Sequence, residues 1–275
     1  MAPLLCVDLG SSYCKLAFVD GAGGSFSQQS VEPSARFFES NGYSALCAHL
    51  RTLARANQPS ASAGLALALP FEVDYRRNWI ASNWRGGWPD TIRGLEASVA
   101  DDVGLPCLVL NDAVAFALGC PVMRVEAGPQ TVLCLTLGTY FGCALLRSSA
   151  TVQPVEVDDC LPNFAWPGGV SGSPTAALHF HKQRNSKDDQ AYSQLVGWLI
   201  GALQRELGRL PVVLGGGGAR SVQIEQVLLS IPETGGASVD VRVEADNLTG
   251  LAGAARLWQE VVERRRPIQE VVLPR

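Results

Sequence analysis

The feature that most restricts the fold of this chain is a strand, a turn of small residues and a second strand, met twice. Pro3 to Leu9 is an apolar run with Asp8 near its end; Gly10, Ser11 and Ser12 make a turn, and Cys14 to Asp20 resumes as a strand. Two such runs around so short a turn predict a β-hairpin. In the second half Thr131 to Leu137, the turn Gly138-Thr139 and Phe141 to Arg147 repeat the arrangement. Each hairpin has a third candidate strand behind it, Ser25 to Val31 in the first half and Thr151 to Val157 in the second. A duplicated, hairpin-led α/β unit is therefore expected. At 275 residues the chain is near the upper limit for one hydrophobic core, which favours two lobes sharing a cleft. The lobes are placed at residues 1–119 and 120–275, with the last helix positioned to pack back on the first lobe.

Between and after the hairpins the pattern alternates helices and buried strands. Tyr43 to Ala56 has helical apolar spacing, Gly64 to Leu69 is a buried strand stopped by Pro70, and Asp90 to Asp101 is an amphipathic helix leading to the strand Cys107 to Leu110. Asn111-Asp112 then opens an Ala-rich helix to Leu118. In the second half a Gly/Pro-rich loop, Leu161 to Pro174, precedes helices at Thr175 to His181 and Ser186 to Leu207. The strand Pro211 to Leu214 runs into Gly215 to Gly218 and a helix from Ala219 or Arg220, followed by the strand Val239 to Val243 and a closing helix, Leu248 to Glu263.

Composition excludes several classes. With 47% hydrophobic and 17% charged residues the chain has ample apolar material for a core, and a disordered or fibrous protein is excluded. A net charge of −4 gives no reason to expect a nucleic-acid or anionic-membrane partner, and Arg264 to Arg266 reads as a solvated helix end. Asp8, Lys15 and Asp20 interrupt any secretory signal, so export is not expected. The uncharged stretch Ala127 to Leu146 is too polar for a membrane span and reads as two buried strands around a turn. The 8 cysteines contain no C-x-x-C pair, which points to a reduced, cytoplasmic setting without cysteine-bound metal.

Four constellations carry chemistry. Asp8-x-Gly10-Ser11-Ser12-x-x-Lys15 sets a carboxylate at a strand end before a turn of small residues. A nucleotide's phosphate tail is held by such groups: exposed backbone N–H and hydroxyls, and a carboxylate that holds Mg²⁺ through its water shell. On its own the motif also fits an ordinary hairpin turn. Leu137-Gly138-Thr139-Tyr140-Phe141-Gly142 supplies a second glycine turn, and two such hairpins form a more specific signal than one. Gly215-Gly216-Gly217-Gly218 lies between a strand and a helix, where bare backbone admits a nucleobase or ribose. No Lys-Ser/Thr follows it, and it stands too late in the chain for a dinucleotide fingerprint. At Asn111-Asp112 a carboxylate can take the proton of an attacking hydroxyl while the amide fixes that hydroxyl, or Asp112 can simply cap the helix. His179 and His181 sit on different helix faces and do not pair for a metal; Trp79, Trp84, Trp88 and Trp166 read as core or as sugar-stacking rings, and Arg76, Arg77 and Arg85 as surface charge.

Taken in order, Asp8-Leu9-Gly10-Ser11-Ser12, Asn83-Trp84-Arg85-Gly86-Gly87-Trp88-Pro89, Leu110-Asn111-Asp112-Ala113, Thr136-Leu137-Gly138-Thr139 and Leu214-Gly215-Gly216-Gly217 resemble the ROK sugar kinases, the bacterial glucokinase group of the actin, Hsp70 and hexokinase superfamily. The resemblance runs from Leu5 to about Leu257. It implies a two-lobed ribonuclease H-like α/β fold of the actin/hexokinase type, with ATP and Mg²⁺ as cofactors and a small sugar-like substrate. Asp112 would be the general base, and Asn111, Asn83 and Glu156 would bind the sugar. Asp8, Gly10, Ser11, Ser12 and Lys15 would form the first phosphate motif, with Asp8 as the water-mediated Mg²⁺ ligand; Gly138 and Thr139 would form the second, and Gly215, Gly216 and Gly217 the adenosine motif. Dimerisation is a family expectation.

The chain also departs from the family. The cysteine-rich zinc loop is missing, so no structural zinc is expected. Asp159 stands where the family has a His, Tyr140 and Cys143 where it has glycine, crowding the phosphate turn, and Phe71 replaces a glycine near the expected sugar cleft. No helix-turn-helix precedes Asp8, so the repressor branch is not expected. Two competing readings follow: a non-catalytic sugar- or nucleotide-binding regulatory module of the same fold, and an ATP-driven switch, for which 275 residues leave little room.

Overall fold

Leu4–Leu9 (β1) is buried at all 6 positions, the pattern of a strand with neighbours on both edges and layers on both faces. The structure, a computed structural model, describes residues 3–20, 25–56, 63–81, 88, 91–121, 131–138, 141–148, 151–162, 173, 188–231 and 239–273. β1 pairs antiparallel with Tyr13–Asp20 (β2), and β2 antiparallel with Ser25–Pro33 (β3). On its other edge β1 runs parallel to Gly64–Leu69 (β4), which runs parallel to Cys107–Asn111 (β8). The sheet order is β3-β2-β1-β4-β8. A separate three-stranded sheet joins Glu72–Asp74 (β5), Trp79–Ala81 (β6) and Thr91–Arg93 (β7).

The second half repeats the first. Val132–Leu137 (β9), Phe141–Ser148 (β10), Thr151–Pro154 (β11), Val212–Gly215 (β12) and Val241–Val243 (β13) lie in the order β11-β10-β9-β12-β13, with the same strand directions. Two duplicated hairpin-led sheets flanked by helices make the α/β fold that the sequence predicts.

The chain divides into two units, Met1–Pro121 with Leu248–Pro274, and Val122–Asn247. Thr249–Trp258 (α7) packs on the first unit's Asp112–Gly119 (α3) and on β1. In the first unit Leu5, Val7 and Leu9 of β1 and Leu65, Leu67 and Leu69 of β4 build a core with Gly42–Ala56 (α1) and Leu95–Val103 (α2). The alternate residues, Cys6 and Asp8 on β1 and Gly64, Ala66 and Ala68 on β4, turn to the other face, towards α3 and α7. They are small, and the helices come close. A Cβ at Gly64 would lie 1.9 Å from the Trp258 ring, one at Gly119 1.8 Å from the Thr249 carbonyl oxygen, and one at Gly253 1.7 Å from that of Ala115. In the second unit Leu133, Leu135, Leu137, Val212 and Leu214 form a separate core with Asp189–Leu207 (α5). No disulfide joins any of the eight cysteines, and no helix among the described residues is long and apolar enough to cross a membrane.

Several sequence expectations are corrected. The helix expected over Asp90 to Asp101 is β7 followed by α2, split at Gly94, whose φ of 62° no helix accommodates. The strand expected to reach Val157 ends at Pro154, and Val157–Cys160 (α4) is a single helical turn. After the glycine run the chain forms a 3-10 turn, Gly217–Ser221, before the helix Ile224–Ser230 (α6). The closing helix ends at Trp258 and continues as a π-helical turn, Gln259–Glu263, ahead of a last helical turn, Ile268–Val271 (α8). Arg264 and Arg266 are not merely solvated: both reach the buried carboxylate of Glu260, Arg266 at 2.7 Å. Of the two readings of Trp88 the core one holds: its Nε1 donates to the Phe37 carbonyl at 2.6 Å. The loop after Pro162, the helix expected over Thr175 to His181, Trp84, Arg85 and Trp166 lie outside the described residues.

The helix contact predicts a contrast. Gly253→Ala drives a methyl group into the Ala115 backbone and should destabilise the protein by about 3 kcal/mol or more, whereas Gly217→Ala meets nothing within 4 Å and should change stability by less than about 1 kcal/mol. Urea unfolding midpoints of the two variants check this.

Candidate active site

In the first unit the site grows from three strand ends. Asp8 pairs with Ala68, and Ala68 with Leu110, so the end of β1 and the start of α3 lie side by side on one face of the sheet. Asp8 is 8% exposed, and its Oδ2 accepts from Lys15 Nζ at 2.8 Å across the hairpin. On the helix side it meets Gly250 of α7, where a Cβ would stand 2.7 Å from the same oxygen. The turn after β1 is closed by Gly10 N–H donating to the Tyr13 carbonyl at 2.9 Å, with Ser11 and Ser12 between them.

Asn111 rather than Asp112 is the helix cap. Its Oδ1 accepts from the N–H groups of Ala113 at 3.0 Å and Val114 at 3.2 Å, its Nδ2 donates to the Phe71 carbonyl at 2.9 Å, and its own N–H donates to the Tyr75 hydroxyl at 2.9 Å. Asp112 is thereby released from the capping role. Half-buried at the first helical position, it has its carboxyl pushed up to about 7: burial is the main cause, the negative Asp8 adds to it, and the Ala113 N–H and Lys15 work against it.

The remaining described candidates belong to the second unit. Gly138 follows β9, and Gly215 pairs with Thr136 in the sheet. Gly216, at φ 81°, lies on the end of β9, where a Cβ would stand 3.1 Å from the Leu137 carbonyl oxygen; nothing lies within 4 Å of Gly217 on that side. The glycine hairpin and the glycine run are thus neighbours. Glu156 is half-buried ahead of α4, close enough to Cys143 for its charge, after burial and Cys160, to help raise that thiol's pKa. Asn83, Thr139 and Tyr140 lie outside the described residues.

A sequence profile of the ROK family matches residues 4–152. The chain belongs to the ROK family. Among solved structures it is similar to an inorganic polyphosphate/ATP-glucomannokinase from Arthrobacter sp. strain KM, at 20% identity over 93% of this chain and 97% of that one, with a TM-score of 0.69. A ROK family glucokinase from Streptomyces griseus in complex with glucose and AMPPNP matches at 20% identity over 93% and 99%, with a TM-score of 0.65. A ROK family transcriptional regulator homologous to the E. coli MLC protein matches at 14% identity, covering 92% of this chain and 77% of that one, with a TM-score of 0.64. At these identities the likeness is one of fold. No curated protein matches the chain significantly.

Two departures from the ROK pattern resolve in the structure. Cys143 does not crowd the hairpin turn: it is 4% exposed and packs into the second unit's core. Phe71 is fully buried against Trp88, ring centroids 4.8 Å apart, and offers its backbone carbonyl, not its ring, to Asn111. Sequence reasoning missed Tyr75, whose hydroxyl holds Asn111; an exposed-looking hairpin turn gives no signal for it. It also missed the closeness of Gly250 to Asp8, for which a glycine on the helix's inner face was a signal.

The donors present suit a nucleotide-borne Mg²⁺. Among the described residues no three His, Cys, Asp or Glu side chains gather into a cage, and Mg²⁺ commonly uses one or two carboxylates with substrate phosphates and water. Asp8, whose Oδ2 accepts from Lys15, is the residue that would hold such an ion.

A carboxyl that holds its proton more tightly folded than unfolded stabilises the fold fully below its unfolded pKa of 3.8, and that contribution is lost as pH rises through about 7. Asp112→Asn should therefore raise stability at pH 8 by on the order of 2 kcal/mol, solvent contact at this half-buried site reducing the full-shift value, with the gap closing towards about pH 4. Urea midpoints at the two pH values check it; a gap independent of pH would contradict the raised pKa.

Proposed function

We propose that the protein is an ATP-dependent kinase that transfers the γ-phosphoryl group to a hydroxyl of a small sugar or sugar-like molecule. The observation that supports this best is Asp112, a carboxyl spared from capping and with a proton affinity near neutrality at the start of the helix where ROK kinases carry their base. A base of that affinity takes a hydroxyl proton efficiently at working pH. Asn111, held by three bonds through its side chain, would offer its second Nδ2 hydrogen to the sugar, and Glu156 and Asn83 would add further sugar contacts. Gly10, Ser11, Ser12 and Lys15 would cradle phosphate, as would Gly138 and Thr139. Gly215, Gly216 and Gly217 would leave open backbone for the adenosine. Asp8 would hold Mg²⁺, which when bound with the nucleotide neutralises charge on the transferring group. The S. griseus glucokinase binds glucose and AMPPNP, which supports the same ligand classes here.

A second reading is a non-catalytic regulatory module, favoured by Asp159 in the family's His position and by the likeness to a ROK regulator. It requires ligand binding without turnover.

The deciding measurement is coupled ADP release with MgATP against hexoses, N-acetylhexosamines and cyclitols. One acceptor should turn over, Asp112→Asn should lower kcat by about a thousandfold with nucleotide affinity unchanged, and kcat/KM should fall on the acid side of about pH 7 as Asp112 takes up its proton. Undiminished turnover in the variant would remove Asp112 as the base. Binding without turnover of any acceptor would favour the regulatory module.

A further inference from the structure

We infer that Tyr75 is a positioning residue for the Asn111-Asp112 junction, its phenol oxygen fixing the strand end from which both side chains are presented. The inference rests on the reading of Asp112 as the base. Asn111 is the last residue of β8, the edge strand of its sheet, and its N–H is received by the Tyr75 hydroxyl at 2.9 Å. Without that oxygen, a half-buried N–H at the hinge between strand and helix would lose its partner.

The turn that carries Tyr75 is itself braced. Asp74 Oδ1 accepts from the N–H groups of Arg76 at 2.9 Å and Arg77 at 3.0 Å, and its Oδ2 accepts from Trp79 Nε1 at 3.0 Å. The Tyr75 ring packs against the first unit's core, and Gln269 from α8 donates to its carbonyl at 3.4 Å. Four residues upstream, Phe71 receives the Asn111 side chain at 2.9 Å. One short segment, Phe71 to Tyr75, therefore grips Asn111 at both its backbone and its amide, and Asp112 is the next residue along. A carboxylate that must meet a hydroxyl at hydrogen-bond distance gains from a backbone that cannot drift.

Tyr75→Phe keeps the ring and deletes the acceptor, leaving Asp8 and Lys15, the charges that act on Asp112, untouched. Amide hydrogen exchange over residues 111–114 should quicken by about tenfold, with β1 unchanged. In the ADP-release assay kcat should fall by about tenfold or more with KM for MgATP within about twofold. The acid limb should move to lower pH as water reaches Asp112. Unchanged exchange would overturn the latch whatever the turnover, and faster exchange with an unaltered kcat and pH profile would overturn the positioning role. A parent protein silent towards every acceptor tells against the kinase reading instead. Exchange, with calorimetric glucose and N-acetylmannosamine affinities, then decides Tyr75: the proposal stands only if both change in Tyr75→Phe.

Discussion

Two helices in the first unit touch backbone to backbone. A Cβ at Gly119 or Gly253 would enter the van der Waals shell of a carbonyl oxygen on the other helix, so α3 and α7 can lie together only because both positions are glycine. Ala115 and the small residues of β4 beneath them extend the contact. The consequence reaches past packing. α3 carries Asp112 at its first turn and α7 carries Gly250 against Asp8, so the spacing of the two helices also sets where two carboxylates stand. Buried charge is otherwise expensive to hold in place. Here Asp8 is met by Lys15, and Asp112 answers the low local dielectric by holding its proton more tightly.

The cap explains why that proton affinity matters. A helix N-terminus ordinarily claims the nearest carboxylate or hydroxyl for its orphan N–H groups. In this chain an amide one residue earlier does that work, and the Asn111 side chain is saturated on its oxygen side by two N–H groups. A carboxylate in the same role would have accepted those bonds and been held low in pKa. Asp112 keeps its raised affinity because burial, with the charge of Asp8, outweighs the Ala113 N–H and Lys15 that act to lower it.

Much of this was legible in the sequence. The paired hairpins follow from two apolar runs around each of the small-residue turns Gly10-Ser11-Ser12 and Gly138-Thr139, and the predominantly apolar runs Leu4–Leu9 and Gly64–Leu69 form strands buried at every position. The helix and strand around Gly94 were not legible, since Asp90 to Asp101 has helical spacing and only the φ of 62° at Gly94 breaks it. Nor was the choice between Asn111 and Asp112 as cap: either side chain can accept the same N–H groups, and geometry alone selects between them. The Tyr75 hydroxyl and the Glu260 clasp depend on partners 36 residues away and on a change of helix type. No local pattern encodes such pairs.

The duplication also shows how one topology is put to two uses. In the first sheet Asp8 is flanked across the strands by Lys15 and Ala68; at the corresponding places of the second sheet Thr136 is flanked by Gly142 and Gly215. A charged pair and an alanine thus stand where the other half has a hydroxyl and two glycines. Charge fixed by an ion pair suits holding a cation or a proton, and bare backbone suits close approach by a flat or anionic group. At this place the first unit's sheet therefore carries fixed charge and the second unit's sheet open backbone. That asymmetry is a property of single residues in identical registers.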